Sequence, residues 1–474
     1  MQARADQRNF PEYNIISANV SFWEKVYSTH SINTAIIHDK DDLSRLYGTV
    51  SLLEEDFPKS RTHNRQKINQ VKRHIKTTLL ELARNPLPKT PEQKRIAALF
   101  GNTKRGSVYR EASENIRSQR GLRERFLEGV VRSGAYMSQI KSIFRSQGLP
   151  EDLAYLPHVE SSFNPRAFSK FGAAGIWQFT HGTGKDFLRI DYIIDERRDP
   201  ILSAEAAAAF LKRNYVQLGT WPLAITAYNY GPAGMRRALN QEGSYEQIFK
   251  NYNTGHFKFA SRNFYSEFLA AVKVAKRLER SGLVLEEPLR GITVKLPAYT
   301  RADKLCEYLG ISTEVLKKYN PSLREPVFKG SKYIPKNYVL KLPYRFNNSR
   351  LLSAAPPSIF SSAQKRSKFY QVKAGDSAGV IAYRHKISLQ DLIKANNLNS
   401  KAVIRVGQNL RIPAPGDTAA SIDKVPVGST VETVLKDRKK IPPSGVIAPI
   451  YEQNLAVSGN LKVFDIYRRN NLLV

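Results

Sequence analysis

The chain has 474 residues, 41% of them hydrophobic, so it is too long for one compact domain and apolar enough for two to four domains. Its 74 Lys and Arg residues outnumber 42 Asp and Glu residues, and the formal net charge of +32 attracts polyanions. The basic residues are spread along the chain without a nucleic-acid motif. We therefore expect no nucleic-acid partner, and an anionic polymer or surface accounts for the charge equally well.

Several further classes are disfavoured by what the sequence lacks. The single cysteine, Cys306, excludes an internal disulfide and a cysteine-based metal site. The 8 histidines show no ligand-like spacing and no phosphate-cradling glycine loop is present, so we expect no metal and no cofactor. No signal peptide, no lipid-anchor cysteine and no stretch of roughly 18 apolar residues is visible in this sequence.

The first part of the chain has a helical pattern. Apolar residues recur at helical spacing over residues 10–145, for example in the stripe Phe22, Trp23, Val26 and Tyr27. We predict an N-terminal helical region, 1–119, that packs against the domain after it. A basic amphipathic helix or helix pair follows between Arg120 and Gln147, with Phe126 and Val130 facing inward.

The segment from Gly148 to Phe179 has the pattern of a cleft. Pro150 and the acids after it suit the start of a helix, which Pro157 is expected to kink. Helical spacing places Glu160 on the face that carries Leu153 and Leu156. The next residues, Ser-Ser-Phe-Asn-Pro, compete with the helix or block it, and a glycine-punctuated run follows. The sequence therefore predicts an acid at a helix end beside a loop that approaches it closely.

Two interpretations of Glu160 remain open on these residues alone. A carboxyl that faces apolar side chains has a raised pKa, and a carboxylic acid still protonated near neutral pH can donate a proton to a leaving oxygen. The simpler interpretation is an ordinary carboxylate paired with one of the many basic residues. His158 and His181 flank this segment, and each is expected to be a packing or surface residue.

An acidic stretch follows. Its acids are Asp186, Asp191, Asp195, Glu196 and Asp199. One of them could be a second catalytic carboxylate, but partners for Arg197 and Arg198 or loop caps are the stronger interpretation. Beyond it, an alanine-rich helix begins near Ala204, and another helix runs from Leu223 to Tyr230.

Three motifs carry a resemblance to a known family. They are Glu160-Ser161, Gly175-Ile-Trp-Gln178 and Ala227-Tyr-Asn-Tyr-Gly231. In this order and spacing they resemble the signature of the soluble lytic transglycosylase domain, similar in fold to goose-type lysozyme. The run PHVESSFNPRAFSKFGAAGIWQF most resembles D-type membrane-bound lytic murein transglycosylases. The resemblance is close over residues 120–280 and looser to about residue 415.

The resemblance implies a reaction and a set of roles. The bond between N-acetylmuramic acid and N-acetylglucosamine would be cleaved without water, because the C6 hydroxyl of the sugar attacks and leaves a 1,6-anhydro end. Glu160 would be acid and then base, and Ser169 and Gln178 would hydrogen-bond the substrate. Tyr228 would stabilise the reacting sugar and Asn229 would order the site. The other motif residues assigned to substrate binding are Ser161, Gly175 and Trp177.

Alternatives to these roles stay open. Trp177 and Tyr228 could as well be core aromatics. Phe264 stands where such domains usually have a tyrosine, so that position has no hydroxyl. A goose-lysozyme-like hydrolase would need a second carboxylate, such as Asp186 or Asp191, to hold a water. A non-catalytic wall-binding protein is the third hypothesis.

Two similar segments follow the resembling domain. Ile311–Leu323 parallels Ile387–Leu398, and each segment lies between two short strand-like runs, which predicts two βααβ units. The second unit resembles a LysM module, which implies binding of N-acetylglucosamine-containing glycans. The residues to which we assign that binding are Gly375, Asp376, Ser377, Ala378 and Leu398. The first unit lacks the Gly-Asp turn and is expected only to pack. In the second, Ala378-Gly379 replaces larger helix formers, and the glycine weakens the helix by about 1 kcal/mol.

These interpretations give a mainly α fold with a lysozyme-like catalytic domain and small βααβ modules. The predicted divisions are a helical region 1–119, a catalytic domain 120–285, a degenerate unit 290–345, a linker 346–368, a LysM domain 369–414 and an unassigned tail 415–474. We expect a monomer that acts on peptidoglycan strands in the periplasm or cell envelope and that associates peripherally with an anionic envelope surface.

Overall fold

The computed structural model describes residues 9–54, 56–346, 354–396, 398–399 and 401–413. The predicted tail, 415–474, lies outside these residues, and so does the stretch 347–353 of the predicted linker. Helices dominate the described chain and its strands are short, so the predicted mainly α class is confirmed. No helix in the described part is both long and apolar enough to cross a bilayer.

The N-terminal region contains a sheet that the helical prediction missed. Strand β1 (Thr34–Asp39) lies between β2 (Leu46–Ser51) and β3 (Ile116–Arg120), and both pairings are antiparallel. Ala35, Ile36 and Ile37 are all buried, so β1 lacks the alternation that marks a half-exposed strand. The helices of this region are α1 (Ser17–Ser28), α2 (Ser60–Arg84), α3 (Pro91–Ala98) and α4 (Gly106–Glu114).

The central domain is helical. The predicted helix pair is present as α5 and α6, and a long helix, α13, crosses the domain and packs against α1, α7 and α10. The helices are α5 (Arg123–Ser133), α6 (Met137–Ser146), α7 (Leu156–Ser161), α8 (His181–Lys185), α9 (Pro200–Leu218), α10 (Trp221–Tyr230), α11 (Pro232–Glu242), α12 (Tyr245–Asn251) and α13 (Phe259–Arg280). Side chains from α1 and from these helices share one hydrophobic core, so the N-terminal helix is built into the central domain.

The first βααβ unit forms as predicted, with additions. Strands β4 (Gly291–Lys295) and β6 (Val339–Pro343) pair antiparallel, and the chain between them forms α14 (Ala302–Leu309), α15 (Thr313–Tyr319) and α16 (Glu325–Phe328). Part of the predicted flexible linker belongs to this unit. Ile359 is buried in its core, and β7 (Phe360–Ser361) pairs with β5 (Tyr299–Thr300). The apolar pair at 359–360 is anchored despite its Ser- and Pro-rich surroundings.

The second βααβ unit is smaller and simpler. Strands β8 (Lys368–Gln371) and β9 (Asn409–Ile412) pair antiparallel, and α17 (Ala378–Arg384) and α18 (Leu389–Asn396) connect them. Its own small core contains Ile381, Leu392 and Leu410. The predicted order of strand, two helices and strand is therefore confirmed for the second unit, and the first unit contains it with one further strand, β5, and one further helix, α16.

Candidate active site

Glu160 lies near the end of a short helix, as the sequence predicts, but the approach to it differs. One 3₁₀ segment, Glu151–Tyr155, precedes α7, and Pro157 occupies the first turn of α7 instead of kinking a longer helix. A proline in a first turn removes no helical hydrogen bond, which explains its position. The helix ends directly after Ser161, where Ser162 and Phe163 have positive φ values of 49° and 53°. Glu160 therefore stands at a sharp change of chain direction.

The surroundings of Glu160 favour its protonated form. Its side chain is only partly exposed, and burial of the carboxylate, together with the nearby Glu267, raises its pKa from 4.5 to about 8. Within the described residues, no hydrogen bond or ion pair reaches this carboxyl. The simpler interpretation of Glu160, a carboxylate paired with a basic residue, therefore does not fit the described structure.

A tight loop, 167–179, lies beside Glu160 and is joined to it. The Ser161 hydroxyl donates to the Ile176 carbonyl at 2.8 Å, which links the first motif to the second. Gly175 has φ of 76°, and a Cβ there would lie 1.8 Å from the Arg197 carbonyl oxygen, so only glycine fits. Gln178 is also left-handed, with φ of 48°, and its amide donates to the Gly175 carbonyl at 2.8 Å. Strain of this kind at a non-glycine residue is typical of functional loops.

Two residues of this loop differ in what they present. The Ser169 hydroxyl oxygen accepts from the backbone N–H groups of Phe171 and Ala173, so it holds the glycine turn and keeps only its own proton to donate. Trp177 is fully buried, and its ring stacks on Phe144 with centroids 5.6 Å apart. The structure therefore favours the core role for Trp177, one of the two left open by the sequence.

Aromatic surface in the loop comes instead from two residues that the sequence analysis did not select. Phe168 is 56% exposed and Phe171 is 93% exposed. Both lie in the polar stretch Phe168-Ser-Lys-Phe171, where two large apolar side chains without helical or strand periodicity are a signal for contact with a ligand. A sugar ring can stack on such surfaces.

The third motif reaches the same place from α10. The Tyr228 hydroxyl donates to the Trp177 carbonyl at 2.8 Å, and the ring is partly exposed. Burial and the nearby charge of Glu160 raise the pKa of Tyr228 well above its ordinary value, so the phenol stays protonated. Asn229 is exposed, and its side-chain oxygen accepts from the Ser261 hydroxyl at 2.7 Å. The three motifs thus converge around Glu160.

The acids of the acidic loop, residues 186–199, have structural roles. Asp195 forms a buried ion pair with Arg197 at 2.8 Å, and Arg197 also donates to the carbonyls of Gly172 and Phe179 in the glycine loop. Asp191 accepts from two backbone N–H groups, and Asp199 caps α9. Exposed Asp186 lies 3.4 Å from Arg213.

The first βααβ unit supports the acidic loop from outside. Lys341 on β6 pairs with Asp199 at 2.9 Å, and the backbone N–H of Asp195 donates to the Ser322 carbonyl at 2.8 Å. Arg324 donates to the Asp191 carbonyl at 2.6 Å. A continuous set of contacts therefore runs from this unit through Arg197 to the loop beside Glu160.

Comparison with known proteins finds two families in the chain. Residues 139–251 match the family described as transglycosylase SLT domain, and residues 370–413 match the family described as LysM domain. The chain contains an SLT domain and a LysM domain.

Two curated relatives extend the match. Membrane-bound lytic murein transglycosylase D of Escherichia coli strain K12 is 28% identical over 298 residues, which cover 60% of this chain and 65% of the relative. The chain thus spans just under two thirds of that relative's length. A putative tributyltin chloride resistance protein of Alteromonas sp. strain M-1 is 35% identical over 112 residues, which cover 23% of this chain and 54% of the relative.

Solved structures of lytic transglycosylases are also similar to part of the chain. An inactive mutant of Slt from Pseudomonas aeruginosa has 17% identity and a TM-score of 0.28, and the match covers 48% of this chain and 35% of that chain. The 70 kDa soluble lytic transglycosylase SLT70 from Escherichia coli has 17% identity and a TM-score of 0.26, and covers 46% of this chain and 36% of that chain.

The helix that follows the SLT match supplies a carboxyl that the sequence analysis missed. Glu267 on α13 lies close enough to Glu160 to raise its pKa. A signal for it existed, because Glu267 occupies a position of the apolar stripe formed by Phe264, Phe268 and Ala271. A charged residue at such a position needs a partner or a function.

In the LysM domain the assigned residues divide into turn and core. Asp376 accepts from the Lys373 N–H and the Tyr370 hydroxyl, each at 2.8 Å, and from Arg384 at 3.0 Å. Gly375 has φ of 84°, and Ser377 caps α17. Ala378 is buried and Leu398 packs partly buried against the core, so these two contribute little surface.

Proposed function

We propose that this protein is a peptidoglycan lytic transglycosylase that cleaves the β-1,4 bond between N-acetylmuramic acid and N-acetylglucosamine without water. The observation that carries the proposal is Glu160, a carboxyl with a pKa of about 8 and no described ion-pair partner, at the meeting point of three motif segments. The SLT domain and the D-type relative support the same reaction class.

The chemistry needs only one carboxyl and the substrate itself. Protonated Glu160 donates its proton to the glycosidic oxygen as the C1–O bond of the muramyl sugar breaks. The C6 hydroxyl of the same sugar then attacks C1, and its proton passes to the Glu160 carboxylate, which restores the starting state. An intramolecular nucleophile has a high effective concentration, so no water needs to be held. We assign contact with the reacting sugar to Tyr228 and Gln178, because they belong to the two motif segments that the hydrogen bonds of Ser161 and Tyr228 join to the Glu160 segment.

Hydrolysis of the same bond is the second candidate function, and one observation favours it. A retaining or inverting hydrolase needs a second carboxyl in the cleft. Asp186 and Asp191, the residues first considered, are engaged with Arg213 and with backbone N–H groups. Glu267 is the described carboxyl that couples to Glu160, so it is the residue through which hydrolysis would operate.

Product analysis separates the two reactions. Digestion of purified murein is expected to give muropeptides that end in 1,6-anhydromuramyl residues, each lighter by one water than a lysozyme product. Mass spectrometry of the digest, with Glu160→Gln as the inactive control, decides it. Reducing ends as the main products would establish the hydrolase, and the absence of any turnover would leave a non-catalytic wall-binding protein.

We assign a separate role to each domain of the chain. Catalysis belongs to residues 120–285, support of the site to 290–345 and glycan retention to the LysM domain, 369–414. This division, a monomeric state and a place in the periplasm or envelope, with peripheral attraction to anionic surfaces, complete the proposal.

Retention of glycan by the LysM domain is testable with Glu160→Gln protein and insoluble peptidoglycan at high salt, which screens exposed charges. The further change Asp376→Ala removes the turn acceptor and is expected to reduce pelleting, and equal pelleting would assign retention elsewhere.

A further inference from the structure

The tight loop of the candidate active site begins with a hairpin, residues 167–175. The backbone N–H of Ser169 donates to the Ala173 carbonyl at 2.8 Å, and the N–H of Gly175 donates to the Ala167 carbonyl at 3.0 Å. Both hydrogen bonds join one arm of the hairpin to the other. The hairpin therefore has a defined root, at its first and last residues, and a defined tip.

The root of the hairpin is joined to the segment that carries Glu160. Gly175, at the root, is followed directly by Ile176. The Ile176 carbonyl accepts from the Ser161 hydroxyl at 2.8 Å, and Ser161 is the residue after Glu160. The tip residue Phe171 lies four residues from the root, which is at most about 14 Å of chain. A polymer strand that crosses the cleft at Glu160 can therefore also reach the tip.

The tip is held in place by hydrogen bonds. Gly172, with φ of 81°, closes the turn, and its N–H donates to the Ser169 carbonyl at 3.0 Å. The Ser169 hydroxyl oxygen accepts from two further N–H groups of the turn. From inside the domain, buried Arg197 donates to the Gly172 carbonyl at 2.8 Å. Side chains at the tip are thus carried on an ordered frame, and a ligand that binds them has little loop to order.

Two aromatic side chains are exposed on this ordered hairpin. Phe171, at the tip, is 93% exposed and Phe168 is 56% exposed. Neither ring belongs to a hydrophobic core of the described residues. Single exposed apolar residues are normal on a protein surface, but two large rings within one short hairpin beside a cleft form a patch that marks a binding site.

Basic side chains lie next to the two rings in the sequence. Arg166 and Lys170 are exposed, and neither forms an ion pair within the described residues. The sequence from 161 to 185 contains no Asp or Glu, so this segment supplies no carboxylate to neutralise them. The hairpin therefore combines aromatic rings with uncompensated positive charge. This combination suits a ligand that has apolar ring faces and carboxylates.

We propose that the hairpin, residues 167–175, with Arg166 beside it, is a glycan-binding subsite in which Phe168 and Phe171 stack on sugar rings of the strand and Arg166 and Lys170 contact carboxylates of its substituents. The faces of a pyranose ring carry C–H groups, which the negative face of an aromatic ring attracts. Peptide substituents of the muramyl sugars supply the carboxylates. The inference rests on the proposed function only for the identity of the strand, and it places binding beyond the bond that is cleaved.

Kinetics on soluble glycan strands test the subsite in the full chain. Phe171→Ala is expected to raise KM about five- to tenfold and to leave kcat within about twofold, because it removes binding that the substrate and the transition state share. Phe171→Trp should restore KM, whereas Phe171→Leu should not, since only an aromatic face stacks on a sugar. Phe57→Ala is the matched control: Phe57 is 57% exposed in the N-terminal region, and its loss should leave KM unchanged.

Strand binding by Glu160→Gln protein, measured by isothermal titration calorimetry, separates this inference from the proposed function. Adding Phe171→Ala to Glu160→Gln should weaken binding by the same five- to tenfold factor at low and at high salt. Adding Arg166→Gln and Lys170→Gln instead should weaken it at low salt only, because high salt screens exposed charges. The LysM domain is common to all of these proteins, so a difference between them reports on the hairpin.

Each outcome decides one of the two claims. If the wild type releases product and Phe171→Ala changes neither KM nor strand binding, the subsite is refuted and the proposed function stands. If the wild type releases nothing but Phe171→Ala weakens strand binding, the proposed function fails and the subsite stands. Unchanged strand binding together with a shift from dimer to monomer in sedimentation of Phe171→Ala would assign the rings to contact with a second copy of the chain and overturn the inference.

Discussion

Two acidic regions of the central domain treat their carboxyls in opposite ways. In the acidic loop, 186–199, Asp195 and Asp199 are buried, but each faces a cation and backbone N–H donors. Burial raises the pKa of Asp195, but the hydrogen bonds to Arg197 and the positive charges of Arg197, Arg324 and Arg198 together hold it below its ordinary value. In the cleft, Glu160 and Glu267 are only partly exposed, no hydrogen-bond donor reaches either carboxyl within the described residues, and their pKa values rise to about 8. Burial alone does not make a carboxyl reactive; burial without a partner does.

The two regions are mechanically connected. Arg197 satisfies Asp195 and at the same time donates to the carbonyls of Gly172 and Phe179. The paired acids therefore hold the loop that lies against the unpaired one. The energetically unfavourable burial of an unpaired carboxyl is thus confined to the cleft, and the contacts that stabilise the loop lie next to it.

The comparison is tested most strongly by removing the unpaired acid. Glu160→Gln keeps the shape of the side chain and removes its proton transfer, and we expect about three or more decades of lost turnover, since acid–base catalysis contributes roughly 10²–10⁴. Release of muropeptides from murein is the measurement, with circular dichroism to check the fold. Turnover near that of the wild type would show that the unpaired carboxyl is not the acid.

Removal of an acid from the paired region is expected to lower the free energy of unfolding. Asp195→Ala leaves Arg197 buried without its carboxylate, and removal of one partner of a buried pair costs about 3–5 kcal/mol. Urea unfolding, followed by tryptophan fluorescence, measures the loss. Asp195→Asn, which keeps one acceptor, is the matched control and should lose less. Equal stability of Asp195→Ala and wild type would mean that the loop does not depend on this pair.

The same contrast predicts that the two carboxyls of the cleft make the free energy of unfolding depend on pH. Between the unfolded pKa near 4.5 and the folded pKa of about 8, the native state holds protons on Glu160 and Glu267 that the unfolded state releases. Stability from these groups is therefore complete below the unfolded pKa and is lost as pH rises through the folded pKa.

Glu160→Gln should thus be more stable than wild type at pH 8. We expect a difference of about 1–3 kcal/mol in the free energy of unfolding, which is less than the full pKa shift implies, because water in the cleft partly solvates the Glu160 carboxylate. At pH 4.5 the two proteins should unfold together. Unfolding curves at both pH values supply the comparison. A variant that is less stable than wild type at pH 8 would show that Glu160 is stabilised as a carboxylate after all.

How far the sequence could predict these regions depends on distance along the chain. Glu160 and the turn after it were predictable, because the blocking residues 161–165 are adjacent. The structural role of the acidic loop was also favoured, since Arg197 lies two positions from Asp195. Glu267 was missed because α13 reaches Glu160 only through tertiary packing. Strand β1 was missed for a different reason: Ala35, Ile36 and Ile37 are all buried, so its sequence lacks the alternation that marks a half-exposed strand.

The burial of Trp177 shows another limit of the sequence. A motif fixes which residue stands at a position, but whether its side chain faces the cleft or the core depends on loop geometry. Here the backbone carbonyl of Trp177 accepts from Tyr228, while its ring stacks on Phe144. At this motif position the main chain of Trp177 therefore makes the contact with Tyr228. The exposed aromatic surface of the loop belongs to Phe168 and Phe171.

The smallest expected effect belongs to the exposed member of the acidic loop. Asp186 is exposed and lies 3.4 Å from Arg213, whose side chain is 41% exposed, and surface pairs of this kind contribute about 0–1 kcal/mol. Asp186→Asn is therefore expected to leave kcat/KM on murein strands within about twofold and to shift stability by less than about 0.5 kcal/mol. Measured beside Asp195→Ala, it separates a carboxylate that holds the active loop from one that only borders it. A loss of tenfold or more without loss of stability would make Asp186 the second carboxylate of a hydrolase, and the reducing ends of the products would then have to confirm it.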